Sequence, residues 1–195
     1  MSAKSIELDY KDLFEYHEDF IKDSENIMKD LLNEIELSQN TVKVFGRKYN
    51  EPRLTAIYGD ENILDKKYKY SNSERTLKPM TKTLINLQKI LEKRTEIHFD
   101  FVLINYYRDE SDKIGLHSDN EPMMNCDFIA SLSFGSERIF KFKDKKSKEL
   151  VWKQELKSGS LVLMKKDCQE ILLHEIPKTL KPKEPRLNLT FRRFK

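Results

Sequence analysis

His117 and Asp119, separated only by Ser118, are the residues in this chain whose types and spacing best suit metal chemistry. In an extended strand successive side chains alternate, so an H-x-D pair shares one face and can bind one ion. One imidazole nitrogen and one carboxylate oxygen are two of the three ligands of a facial triad. That triad is the usual holder of non-haem Fe(II), and it leaves positions on the ion open. A second histidine must come from elsewhere. The chain has four: His17, His98, His117 and His174. His17 precedes Glu18 and Asp19 and reads as a surface residue. His98 falls in a link before a strand and reads as structural. His174 reads as lying near a strand end, in the stretch LLHEIP. Taken alone, H-x-D is more often a solvated surface pair, so the rest of the chain has to decide.

The last strand carries a second chemical pattern. Arg186, Asn188, Thr190 and Arg192 fall on one face, and Leu187, Leu189 and Phe191 on the other. A buried guanidinium needs an anionic partner. The bland reading is two arginines on a solvent face, balanced by nearby glutamates. The functional reading is a clamp for a dicarboxylate, because Arg pairs bidentately with carboxylates. Asn105 and Tyr107, also on one strand face, can add polar contacts to the same ligand.

Two further stretches could meet nucleic acid. Val42 and Val44 alternate with polar residues as a strand does, and Phe45-Gly46 then makes a turn followed by Arg47 and Lys48. Pro52-Arg53 restarts an extended segment toward Tyr58-Gly59-Asp60. An aromatic at such a tip either tucks into the core or forms an exposed wedge that enters a base stack while the cations hold phosphates. Next, Lys67-Tyr68-Lys69-Tyr70 places Tyr68 and Tyr70 on one strand face, a surface on which an unstacked base could rest. A solvated edge strand is the alternative.

The elements that position these groups can be read from pattern. Leu13–Ile21 includes a short extended piece. Ser24 reads as an N-cap for a helix in which Ile27, Met28, Leu31, Leu32 and Ile35 recur at helical spacing. Pro79 reads as the first residue of a second helix, with Met80, Leu84, Leu87, Ile90 and Leu91 buried, ending near Arg94-Thr95. The spacing then predicts strands over Phe99–Tyr107, Phe128–Phe134, Arg138–Lys143, Leu150–Glu155, Ser160–Lys165 and Arg186–Arg193. Gly135 and Gly159 mark turns, and KPKEP, residues 181–185, is a basic loop before the last strand. Many short strands in a row imply a sandwich or jelly roll.

Composition sets outer bounds. A chain of 195 residues suits one domain with a sizeable core. Charged residues make up 35%, yet 36 basic and 33 acidic side chains nearly cancel to +3, so only local clustering can reveal a polyanionic partner. Cys126 and Cys168 read as reduced thiols. There is no apolar run long enough for a bilayer span and no signal-peptide pattern over Met1–Tyr10, so a soluble intracellular protein is expected, with no membrane partner.

Taken together, N-x-Y (Asn105, Tyr107), H-x-D (His117, Asp119), the distant His174 and R-x-N-x-T-F-R (Arg186 to Arg192) resemble the AlkB family of Fe(II)/2-oxoglutarate dioxygenases. The resemblance runs from about Thr41 to the C-terminus. It is strongest to the family's second homologue, which repairs alkylated bases in duplex DNA. The similar pieces are Val44–Gly46, Pro52-Arg53, Tyr58–Asp60, Phe101–Asn105, Ser133–Gly135 and Asn188–Arg192.

The resemblance implies an all-β core with flanking helices (α+β), a double-stranded β-helix or jelly roll with an N-terminal nucleotide-recognition lid. It divides the chain into a helical segment (1–40), the lid with its hairpin finger (41–78) and the dioxygenase core (79–195). It implies Fe(II) held by His117, Asp119 and His174, with 2-oxoglutarate and O2 as cosubstrates. Arg186, Asn105 and Tyr107 would hold the distal carboxylate of 2-oxoglutarate and Arg192 its metal-proximal end, with Asn188 and Thr190 in support. Val44, Phe45, Gly46, Arg53, Tyr58, Tyr68, Tyr70, Ser71 and Glu121 would meet DNA, Tyr70 stacking on the flipped base and Phe45 filling the vacancy. Repair members carry a second acid directly after H-x-D, where this chain has Asn120. The implied activity is oxidative demethylation of 1-methyladenine and 3-methylcytosine type lesions by a monomer, in the nucleus if the source is eukaryotic. The alternatives are action on RNA or single-stranded DNA, or an inactive nucleic-acid-binding module.

Overall fold

The computed structural model describes residues 10–44, 47–70 and 73–195. The N-terminal part comprises β1 (Phe14–His17), α1 (Ser24–Glu34), the hairpin of β2 (Thr41–Val44) and β3 (Arg47–Asn50), and β4 (Leu54–Gly59). A second hairpin, β5 (Lys67–Tyr70) and β6 (Ser73–Thr76), leads through β7 (Lys78–Pro79) to α2 (Lys82–Thr95). Strands then dominate: β8 (Phe101–Tyr107), β9 (Ile114–His117), β10 (Met124–Gly135), β11 (Arg138–Asp144), β12 (Leu150–Leu156) and β13 (Leu161–Met164). The short α3 (Cys168–Ile171), β14 (Leu172–Ile176) and β15 (Arg186–Phe194) complete the chain.

The strands form a larger sheet in the order β1-β13-β10-β15-β8-β4-β7 and a smaller one in the order β12-β11-β14-β9. All pairings are antiparallel except β4 with β7. This is the expected jelly roll with flanking helices. Two apolar layers hold it together. Leu187, Leu189 and Phe191 of β15 join Val102 and Ile104 of β8 and the stripe Leu84, Leu87 and Leu91 of α2, all at most 1% exposed. The opposite sheet face meets Phe140 and Phe142 of the smaller sheet. Polar Arg186, Asn188, Thr190 and Arg192 therefore point between the sheets, where the functional groups converge.

Several boundaries differ from the sequence pattern for local reasons. Pro79 does not open α2. It lies in β7 at the sheet edge, where a missing N–H costs no ladder bond. Thr81 caps the helix instead, its Oγ1 accepting from Leu84 N at 3.5 Å. Ile90 is 43% exposed, just outside the buried stripe. Ser24 is the first helical residue rather than the cap, and its hydroxyl accepts from Ser158 Oγ at 2.9 Å. Both cysteines are free thiols, and burial pushes Cys168 up to about 12. Among the described residues, no helix is long and apolar enough to cross a membrane.

His98, in the link between α2 and β8, is structural in a specific way. Its Nδ1 lies 2.5 Å from Glu92 and its Nε2 2.7 Å from Asp60. Partial burial opposes the charged ring, but the two carboxylates prevail and raise its pKa. A raised histidine stabilises the fold fully below its unfolded value, ~6.5, and the contribution disappears as pH climbs through the folded value. The melting temperature of the wild type is thus expected to fall above about pH 6.5 by a component that His98→Gln lacks. A difference between the two proteins that does not vary with pH would contradict this role.

Candidate metal centre

Strands β9 and β14 run antiparallel, with His117 directly opposite His174. Cross-strand partners lie close enough for their side chains to meet, and the two rings are 4.2 Å apart. Strand β9 stops at His117, so Asp119 is not aimed by strand alternation as its spacing suggested. Its backbone N instead donates to Gln169 Oε1 at 2.8 Å, and its Oδ2 pairs with Arg192 at 2.8 Å. His117 Nε2 is then 3.5 Å from Asp119 Oδ1, and His174 Nε2 is 3.6 Å from Oδ2. All three ligand atoms lie within 4.8 Å of one another. His117 Nδ1 meets Gly115 O at 2.8 Å, so assigning the proton there leaves Nε2 free to coordinate.

Protonation states also suit a cation. Burial, assisted by neighbouring His117, pushes His174 down to about 3, which keeps it neutral. Burial works against the Asp119 anion, but Arg192 and the two imidazoles outweigh it and hold the carboxyl well below its usual range. A neutral His174 imidazole and an ionised Asp119 carboxylate are forms in which a divalent ion is bound. The described residues contain a second group of comparable spacing, Asp60, His98 and Asp100. There both His98 nitrogens already face carboxylates.

Beside the centre lies a pocket that reaches Arg186, Asn188, Thr190, Asn105 and Tyr107. Arg186 is 1% exposed. Its NH2 donates to Ser133 Oγ at 2.9 Å, while Nε and NH1 have no hydrogen-bond partner among the described residues. Burial draws the guanidinium down to about 10, against the pull of Tyr107. Two orphaned donors on a buried cation are costly unless an anion completes them, and a carboxylate fits that role. The neighbouring polar side chains are held among themselves, and one ring meets the guanidinium. Asn188 Nδ2 donates to Ser131 Oγ and Leu132 O, Thr190 Oγ1 donates to Asn188 Oδ1, and the Tyr107 ring lies 5.2 Å from the Arg186 guanidinium. The residues thus fit Fe(II) and a keto acid whose far end is a carboxylate.

The expected DNA residues separate. Tyr68 is not an open platform. It is fully buried, and its hydroxyl donates to Glu121 Oε1 at 2.9 Å, with Arg192 NH1 3.4 Å away. Glu121 in turn lies 3.6 Å from Arg192, so Tyr68, Glu121, Arg192 and Asp119 form one chain of contacts. Arg53 does not face phosphate. It is 4% exposed, and its Nε donates to Asn105 Oδ1 at 2.6 Å, inward toward the pocket. Tyr58 lies on the other face of its sheet, among the helix-side residues, where its hydroxyl accepts from Glu36 N at 2.8 Å. Val44 and Tyr70 lie in β2 and β5, with side chains outside the description, and Phe45, Gly46 and Ser71 lie outside the described residues. Arg47 and Lys48 are exposed.

Several participants escaped the sequence reading. Gln169 holds Asp119. Arg138, 2% exposed, donates to Asp109 O, Asp112 O and Pro177 O, fastening the approach to β9 to the exit of β14. Glu51, 1% exposed, binds Arg75 at 2.7 Å and lies 3.8 Å from Arg53, joining both hairpins to the sheet. Burial of these polar residues is the signal, and it is a property of tertiary packing.

Residues 15–192 match the family model described as the 2OG-Fe(II) oxygenase superfamily. The Bos taurus protein named Alpha-ketoglutarate-dependent dioxygenase alkB homolog 3 is 33% identical over 184 residues, which is 88% of this chain and 62% of that protein. The Mus musculus DNA oxidative demethylase ALKBH2 is 33% identical over 205 residues, 100% of this chain and 82% of that protein. The Homo sapiens ALKBH2 is also 33% identical, covering 98% and 75%. The chain thus spans 62% of the length of the first of these relatives. The solved structure described as "The structure of OsALKBH1" superposes with a TM-score of 0.64 at 17% identity, over 92% of this chain and 97% of that one. That likeness concerns the fold alone.

Proposed function

This chain belongs to the AlkB family of the 2OG-Fe(II) oxygenase superfamily, dioxygenases that use Fe(II), 2-oxoglutarate and O2, and on that premise we propose that it removes N-alkyl groups from DNA bases, with duplex DNA preferred. The observation that carries the reading is the pairing, in one pocket, of a His/Asp/His donor set with a buried arginine two of whose nitrogens find no hydrogen-bond partner among the described residues. The relatives named DNA oxidative demethylase support DNA as the substrate. A monomer suffices, since every group in this reading comes from one chain. In a eukaryotic source the nucleus would be its place of work.

When bound, iron together with 2-oxoglutarate and O2 supplies the oxidant that converts an N-methyl C–H into C–OH, while 2-oxoglutarate leaves as succinate and CO2. His117 and His174 would offer their Nε2 atoms and Asp119 an oxygen. Arg186 would take the distal carboxylate, with Asn105 and Tyr107 lining the same pocket. Arg192 keeps Asp119 ionised and oriented, and Tyr68 and Glu121 keep Arg192 in place. The hydroxymethyl group on a ring nitrogen then leaves as formaldehyde, so no protein acid or base has to attack the base. Arg47, Lys48 and the 181–183 loop would grip phosphates.

Incubating iron-loaded protein with methylated duplex and single-stranded oligonucleotides, and following the loss of the methyl mass, tests this reading. No loss on either substrate would refute it. The duplex preference rests on Phe45. Flipping a base costs a few kcal/mol of stacking and pairing, and an aromatic wedge recovers part of that only where a vacancy exists. Phe45→Ala is therefore expected to impair duplex repair much more than single-strand repair, at an unchanged melting temperature. Equal losses together with a stability drop of ~3–5 kcal/mol would mark Phe45 as a core residue and remove the duplex assignment.

A further inference from the structure

We infer that Gln169 is a positioning residue for the metal centre, holding the ligand Asp119 in place through its backbone; this rests on the metal-centre reading above. His117 is the last residue of β9, so the sheet ladder supports the first ligand and not the third. Asp119 is 2% exposed, and a buried backbone N–H must find an acceptor. Gln169 Oε1 is that acceptor, at 2.8 Å, from 50 residues further along the chain.

The amide is itself locked. Gln169 is 1% exposed, and its Nε2 donates to Met164 Sδ at 3.1 Å in β13. Its backbone carbonyl accepts from Lys145 Nζ at 3.3 Å, and the same ammonium lies 3.4 Å from Ser118 Oγ, between the two ligands of the H-x-D pair. Gln169 belongs to α3, which leads directly into β14 and His174. One side chain thus ties the loop bearing Asp119 to the segment bearing His174.

A tie is needed because Asp119 has a competing attraction. Arg192 holds its Oδ2 at 2.8 Å, on a strand of the other sheet. With the main chain pinned by Gln169, the carboxylate can serve Arg192 through one oxygen and still present the other toward His117. Without the pin, the loop is free to follow Arg192, and the third ligand leaves the position that the two imidazoles define.

The test titrates metal-free protein with Co2+, a visible stand-in for Fe(II), following its d–d absorption, and records the melting temperature of the metal-free form. Gln169→Met keeps the volume without the amide, and Gln169→Asn keeps an amide one methylene too short. Both are expected to raise the Co2+ dissociation constant about 10–100-fold, as loss of a partner that orients a ligand does. Gln169→Glu keeps the acceptor oxygen and is expected to bind as tightly as wild type or tighter. Should Gln169→Met fail to fold, Gln169→Asn and Gln169→Glu still decide the matter. Unchanged Co2+ affinity in the Met or Asn variant, with only a lower melting temperature, would reduce Gln169 to packing and overturn the inference. A Glu variant as weak as the Met and Asn variants would overturn it too. Wild-type binding that is weak and insensitive to His117→Ala would instead overturn the metal-centre reading, and this inference with it.

Discussion

Arg186→Met is expected to weaken 2-oxoglutarate binding by about 2–5 kcal/mol, roughly 30- to 4,000-fold, while leaving the ligand-free protein as stable as before or more so. The two halves of that expectation have one cause. In the free protein Arg186 is a buried cation with one hydrogen bond to Ser133 and two donors unmatched. Replacing such an ion with an apolar side chain of similar length removes a desolvation cost that the Ser133 hydrogen bond and the Tyr107 ring offset only in part. Once a carboxylate enters, the same guanidinium gains a charged, hydrogen-bonded partner, and the variant forgoes it. Calorimetric titration with 2-oxoglutarate, alongside melting of the ligand-free protein, checks both. Retained affinity would mean that the keto acid binds elsewhere; a large fall in stability would mean that Arg186 is already satisfied within the fold.

The two proposed iron ligands on one motif should behave differently. His117→Ala and Asp119→Ala are both expected to abolish metal binding and turnover. From the sequence they look equivalent, as two residues of H-x-D. In the structure His117 keeps 23% side-chain exposure and, among the described residues, hydrogen-bonds or pairs only with a backbone carbonyl besides its fellow ligands, so its loss should cost little stability. Asp119 is the nearest counter-charge to Arg192, whose side chain is 3% exposed and whose other acidic neighbour, Glu121, is 3.6 Å away. Breaking a buried pair from one side costs about 3–5 kcal/mol. For a domain of this size that is roughly 6–20 °C in melting temperature. Melting both variants in metal-free buffer separates them. Equal melting temperatures would show that Glu121 and Tyr68 alone sustain Arg192.

Much of this site is legible in the chain itself. The H-x-D pair and the alternation of β15 are local facts, because ligand chemistry selects residue types and a strand's period of two assigns their faces; His174, read as near a strand end, instead sits in the middle of β14. That alternation holds in the structure: Leu187, Leu189 and Phe191 pack on the helix side while Arg186 and Arg192 point between the sheets. The jelly roll, too, follows from many short strands with turn signals between them. What only the tertiary structure decided is which polar residues are inside. Tyr68 looks like a base-stacking aromatic and Arg53 like a phosphate ligand in their local contexts, yet both are buried, because alternation assigns a side chain to a face without saying what covers that face. Asp119 is aimed by Gln169 and Arg192, from 50 and 73 residues away, and no local spacing could announce either contact. A residue's type and period are written near it in the chain; its neighbours across a core are set by the packing of segments distant in sequence, and the exact placing of a catalytic group depends on those neighbours.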